Sequence, residues 1–240
     1  MDDTARMRQR VLALFLPLAA VLYLSAEALN PKGTDIPILT SADAAKVLPI
    51  AASHSAQLAL SGSISLLALG ALAVSYAAIA TLVRGRGAVV ATIAALLGGL
   101  GAFCGALVNV LVGVNLATAA TAHLTQAAAG RFLVASFNSG FEHLFSYVYF
   151  LGIVVAPVLM GFALWRSRRV PRWLAVLFVV GLEVAQQVPS AGPVLVVLFM
   201  LPFAVAMLLL AGLAWRAAGD GERIEVLPIP GGAQLAGSRP

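Results

Sequence analysis

Long apolar runs separated by short polar stretches form the main pattern of this chain. Each run approaches the roughly 20 residues that an α-helix needs to cross the apolar core of a bilayer. Because that core has no water to satisfy backbone polar groups, each run is predicted to be a helix. Six helices are predicted, at residues 11–29, 57–83, 88–116, 141–165, 173–188 and 193–215.

The composition supports a membrane location for these helices. The chain is 61% hydrophobic and 10% charged, with a mean hydropathy of +0.97, whereas charged residues make up about 25% of a soluble domain. The predicted fold class is therefore an all-α polytopic membrane protein with six transmembrane helices. Residues 1–216 are predicted to form the transmembrane domain, and residues 217–240, which contain several Gly and Pro, a disordered cytoplasmic tail.

Basic residues are distributed unevenly between the two ends of the predicted helices. Lys and Arg are retained on the cytoplasmic side of a membrane, so an orientation with both termini in the cytoplasm is favoured. It leaves only Lys32, Lys46 and Arg131 outside. The predicted location is the plasma membrane, and orientation explains the net charge of +5 without a nucleic-acid partner. The inner residues are Arg6, Arg8, Arg10, Arg84, Arg86, Arg166, Arg168, Arg169, Arg172, Arg216, Arg223 and Arg239.

The N-terminal segment has two interpretations. A basic start, an apolar stretch and the small-x-small sequence at residues 26–28 have the outline of a signal peptide. However, the apolar run is longer than a typical signal-peptide core and contains Pro17 and Tyr23. An uncleaved first helix is therefore expected, and it also gives the cleaner charge pattern.

Three short segments carry a resemblance to a known group of proteins. They are AEALNPKGTD after the first helix, AASHSAQLAL before the second, and RGRG between the second and third. In this order they resemble a group of small six-helix membrane proteins from actinobacteria. The resemblance implies the six-helix fold, but the group has no assigned activity and implies no catalytic residues.

Polar residues inside the helices are the main indication of function, because a charge near the bilayer centre costs about 2.5–3.5 kcal/mol. Glu183 is predicted to lie about 13 Å from the cytoplasmic end of the fifth helix, near the middle of a core about 30 Å thick. Gln186 and Gln187 share its helical face. Glu142 and His143 start the fourth helix, within one turn of the outer surface. The pattern predicts an outward-facing polar cavity with the Glu142–His143 pair at its rim and Glu183 at its floor.

Two other polar groups share helical faces. His54, Gln57, Ser61 and Ser65 lie on one face of the second helix, and Gly101, Gly105, Asn109 and Gly113 form a stripe on the third. The serines and Asn109 also fit interhelical hydrogen bonds, and His54 fits an interfacial side chain. The residues predicted to bind a ligand are Glu183, Glu142, His143, Asn109, Gln186, Gln57, His54 and Glu27. No catalytic residue and no cofactor are predicted, and a metal ligand set stays open.

Three classes of function fit these residues. A protein that binds or transports a small cation, a proton or an amphiphile is favoured, with the bilayer and a small ligand as its partners. A membrane-embedded metal-dependent enzyme has weaker support, because neighbouring Glu and His side chains diverge by about 100° and no HExxH spacing occurs. The third class is an accessory subunit that packs against another membrane protein or a second copy, and a filled apolar interior would favour it.

Overall fold

The computed structural model describes residues 3–31, 34, 38–122, 124–186 and 193–219, and no β-strand occurs among them. The all-α prediction is confirmed for this part of the chain. The predicted tail from residue 220 onward lies outside it. The helices are α1 (Asp3–Leu29), α2 (Ser41–Ser53), α3 (Ser55–Leu82), α4 (Ala88–Thr121), α5 (Gln126–Phe137), α6 (Gly140–Ser167), α7 (Arg172–Gln186) and α8 (Pro193–Gly219).

Five of these helices, α1, α3, α4, α6 and α8, are long and apolar enough to cross a bilayer, judged by length and composition. This supports the prediction of a helical membrane protein. The helix α7 corresponds to the predicted fifth crossing but has only 15 described residues. At about 1.5 Å per residue its described part is about 22 Å long, shorter than the apolar core of a typical bilayer.

The six helices that match the predicted crossings form a closed ring. In ring order they are α1, α3, α4, α6, α7 and α8, and α8 packs back against α1. Chain neighbours are therefore also spatial neighbours, as is usual for helices joined by short loops. Apolar side chains from every helix fill the interior, among them Leu16, Ile79, Ala102, Met160, Phe178 and Phe203.

Glycines on α4 allow its neighbours to approach closely. A Cβ added at Gly101 would lie 2.5 Å from the Cα atom of Gly152 on α6, and one at Gly105 would lie 2.5 Å from the ring of Tyr149. The predicted stripe therefore lies against α6 at these two positions, because small residues let helix backbones approach closely. Gly113, the last glycine of the predicted stripe, has open space instead.

Both chain ends of the described bundle lie at the same end of the ring. The guanidinium of Arg10 on α1 lies 5.5 Å from the ring centroid of Trp215 on α8. The loop between α3 and α4 also belongs there, because a Cβ at Gly87 would lie 3.0 Å from the carbonyl oxygen of Ala163 near the end of α6. We call this end, which carries nearly all described arginines, the arginine end.

The opposite end carries a small cap that sequence reasoning did not predict. The helices α2 and α5 pack against each other and against the last turns of α4 around a second apolar core that includes Val47, Leu116 and Leu133. The 34 residues of α4 extend about 50 Å, well beyond a bilayer core of about 30 Å. The helix α4, predicted to end near residue 116, therefore continues and supports the cap.

Candidate functional site

Glu183 on α7 and Tyr76 on α3 form the most unusual pair inside the ring. The hydroxyl of Tyr76, a side chain that is 2% exposed, and the Oε1 atom of Glu183 are both buried without a hydrogen-bond partner among the described residues. The two groups lie within electrostatic reach of each other. Since an unsatisfied buried polar atom costs about 1–3 kcal/mol, such atoms call for a functional or structural explanation.

The ring of Tyr76 is held firmly by its neighbours. It meets the ring of Phe178 edge to face at a centroid distance of 6.4 Å. On its other side it packs against Gly98 of α4, where an added Cβ would lie 2.6 Å from the ring. The phenol therefore keeps a fixed position in the bundle, as a binding group carried by rigid helices requires.

A second polar cluster joins α1 to α6. The side chains of Tyr23 and Tyr149 hydrogen-bond to each other, and the Glu27 carboxylate, one turn after Tyr23, acts electrostatically on both phenols. Glu27 was a predicted site residue, but neither tyrosine was singled out as one. The available signal was a phenol within an apolar helix, because a buried tyrosine hydroxyl usually needs a partner.

Gln57 and Ser61 on α3 hydrogen-bond to the end of α1. The Gln57 amide nitrogen donates to the Leu29 carbonyl at 2.8 Å, and the Ser61 hydroxyl donates to the Ala26 carbonyl at 2.9 Å. The last carbonyls of a helix lack partners within that helix, so these contacts satisfy them. These hydrogen bonds support an interhelical structural role for Ser61. The bond from Gln57 uses one N–H donor of its side-chain amide.

Glu142 and His143 diverge at the start of α6. Glu142 is 9% exposed, whereas His143 is exposed, and its Nδ1 atom lies 2.9 Å from the carbonyl oxygen of Ser139. The hydroxyl of Ser139 accepts a hydrogen bond from the backbone N–H of Glu142 and caps the helix. The pair is therefore divided between the interior and the surface, as the angle of about 100° between helical neighbours requires.

The remaining predicted residues lie elsewhere. His54 is exposed between α2 and α3, with Nδ1 2.9 Å from the Ser53 hydroxyl. Asn109 is half-buried on α4, about three turns beyond the level of Gly98 and Tyr76. The phenol of Tyr76 lies within electrostatic reach of Glu183. The side chain of Gln186 lies outside the described residues, as do Lys32, His123 and Gln187.

The described residues contain no group of three or more His, Cys, Asp or Glu side chains that could hold a metal ion. Two carboxylates of the bundle instead have phenols within electrostatic reach, Glu183 near Tyr76 and Glu27 near the tyrosine pair. Comparison with protein families, curated proteins and solved structures finds no match to this chain.

Proposed function

We propose that this chain is a six-span membrane protein that binds a proton or a small cation inside its helical ring, with Glu183 and Tyr76 as the binding groups. Both termini are cytoplasmic in this proposal. An even number of crossings is supported by the contact between Arg10 of α1 and Trp215 of α8 at one end of the ring. The cytoplasmic assignment of that end is supported by the basic residues gathered there.

The sixth crossing in this proposal is α7. It packs between α6 and α8 in the ring, and its described part is short. A bilayer adapts to a short span by thinning locally, at a cost of fractions of a kcal/mol per ångström. The charge pattern also favours a crossing, because Arg172 begins α7 at the arginine end.

The chemistry of the buried pair carries the functional proposal. A carboxylate and a phenol offer oxygen atoms, which are the ligands that protons and hard cations take. The single observation behind the proposal is that the Glu183 Oε1 atom and the Tyr76 hydroxyl are both buried and unpartnered among the described residues. The close packing of the Tyr76 ring suits a small ligand better than an amphiphile. In this proposal the ligand enters from the cap end and passes the buried carboxyl of Glu142, in agreement with the predicted outward-facing cavity.

The test is a ligand-dependent change in thermal stability of the purified protein in detergent. A ligand that binds only the native state stabilises it by about 2.7 kcal/mol at 100 times its dissociation constant. We expect the midpoint of thermal unfolding to rise with Na⁺, K⁺ or proton concentration in the wild type, and this rise to be lost in Glu183→Gln. The matched control Glu142→Gln is expected to retain the rise with a shifted midpoint concentration.

A retained response in Glu183→Gln would contradict the proposal. Tyr76→Phe removes only the hydroxyl and keeps the ring packing, so it is expected to weaken the response without lowering the stability of the ligand-free protein. Flux through proteoliposomes then separates a transporter from a binding protein. In that assay the Glu183→Gln variant should give the leakage of empty liposomes.

An accessory membrane subunit is the second candidate function. The observation that favours it is the ring interior, which is filled mainly by apolar side chains. Glu183→Leu distinguishes the two candidates. Equal or greater stability of this variant, with every ligand response unchanged, would support the accessory role, because the buried carboxyl would then be incidental.

A further inference from the structure

The corner between α6 and α7 at the arginine end concentrates positive charge and indole rings. The segment WRSRRVPRW, residues 165–173, contains four arginines and two tryptophans and no acidic residue. All four arginines and both tryptophans are exposed. By contrast, the only basic residues described at the cap end are Lys46 and Arg131, and they lie on different helices.

The backbone of this corner is anchored to the bundle. Val170 is 4% exposed and belongs to the apolar core of the ring. The carbonyl oxygen of Pro171 accepts hydrogen bonds from the backbone N–H groups of Leu174 and Ala175 and starts α7. Because Val170 points inward, the arginines on both sides of it are displayed outward from a fixed turn.

One indole in the corner is paired with a guanidinium. The Cζ atom of Arg172 lies 5.2 Å from the ring centroid of Trp165, a cation–π distance. Tryptophan prefers the headgroup level of a bilayer, so this contact sets a guanidinium at the same level. Arginine binds phosphate through two parallel hydrogen bonds, which a lysine at this position would not reproduce.

We propose that the α6–α7 corner binds the headgroup of an anionic phospholipid, with Arg168, Arg169 and Arg172 around the phosphate and Trp165 and Trp173 flanking it. Charge complementarity identifies the occupant, since anionic lipid headgroups attract basic clusters beside membrane helices. The exposed apolar side chains of α6 and α7 directly next to the corner, such as Phe162 and Val176, offer a surface for the acyl chains. The retention of arginines on the cytoplasmic side of a membrane does not by itself require this corner to prefer an anionic lipid.

The test compares two lipids that differ in headgroup charge. Purified protein in a neutral detergent is titrated with phosphatidylglycerol or phosphatidylcholine of matched chains, and bound lipids are counted by native mass spectrometry. We expect the wild type to retain phosphatidylglycerol preferentially, and high salt to reduce the preference. Each arginine removed is expected to lower the preference about fivefold, which corresponds to about 1 kcal/mol.

The decisive variant is Arg168→Gln/Arg169→Gln/Arg172→Gln. Its control is Lys46→Gln/Arg131→Gln, which removes positive charge from exposed positions at the cap end. The proposal requires the corner variant to lose the preference for phosphatidylglycerol and the control to keep it. Should the triple variant fail to fold, Arg169→Gln alone is expected to show a fivefold loss.

Two outcomes would overturn the assignment. One is equal retention of the two lipids by the wild type, and the other is an unchanged preference in the corner variant or, if that variant does not fold, in Arg169→Gln. Because the measurement is made in detergent, it does not depend on membrane orientation or on the proposed ion site. Glu183→Gln is expected to keep the lipid preference, so failure of the ion proposal and failure of the lipid proposal are distinguishable.

Discussion

Replacing Gly101 with alanine should separate α4 from α6. The added Cβ atom would lie 2.5 Å from the Cα atom and 3.2 Å from the carbonyl carbon of Gly152. Carbon atoms in contact prefer about 3.5–4.0 Å, so the two helices must move apart by about 1 Å. Because the opposing atoms are backbone, no change of rotamer can relieve the clash.

The expected cost follows from the packing that this movement disturbs. A radial gap of 0.5–1 Å already forfeits about a quarter to a half of a van der Waals contact energy. One turn away, the ring of Tyr149 packs against Gly105 and would lose the same close contact. Overpacking costs about 1–3 kcal/mol, and we expect Gly101→Ala to fall near the upper value, at about 3 kcal/mol.

The assay is the free energy of unfolding in mixed micelles, followed by circular dichroism as a denaturing detergent is added. The matched control is Gly113→Ala on the same helix, where an added Cβ has open space. It is expected to change stability by less than about 0.5 kcal/mol or to stabilise the helix slightly. Equal stability of Gly101→Ala and Gly113→Ala would refute the close approach of α4 and α6.

Three further predictions concern other parts of the molecule. Ser61→Ala should lower the free energy of unfolding by about 0.6 kcal/mol, because it removes a hydrogen bond to α1. Ser63→Ala is the control and should cost less, because the exposed Ser63 hydroxyl bonds within its own helix. Equal costs would contradict an interhelical role for Ser61. Thr40 and Asp43 form a capping box at the start of α2, and the hydrogen bond that the Thr40 hydroxyl donates to the Asp43 carboxylate lowers the pKa of that carboxyl. Hydrogen-exchange protection of α2 should therefore be present above about pH 4 and be lost as pH falls through the lower folded pKa. Asp43→Asn should remove this dependence, and an unchanged profile would count against the capping box. In a background without the native cysteine, a cysteine at Arg131 should react with an impermeant thiol reagent from outside and one at Arg84 should not; the reverse would invert the proposed topology.

The helices of the ring could be predicted from the sequence because membrane crossing is mainly a local property. Length and hydropathy are enough to find segments such as α3 and α8, since a lipid environment leaves an apolar run few alternatives to a helix. The stripe that contains Gly101 could also be predicted from the sequence, because small residues four positions apart share a helical face. In the same way, the divergence of Glu142 and His143 follows from helical geometry alone.

The cap and the partners of the buried polar groups depended on the tertiary structure. The segments of α2 and α5 are short, and their helices are stabilised by a shared core with α4 that no local pattern shows. Tyr76 lies within electrostatic reach of Glu183, and Tyr23 hydrogen-bonds to Tyr149, although α3 and α7, like α1 and α6, lie opposite each other in the ring; their long side chains meet across its interior. Sequence periodicity defines the face on which a residue lies. Only the packing of the helices decides which other face it meets, because that choice depends on contacts between segments far apart in the chain.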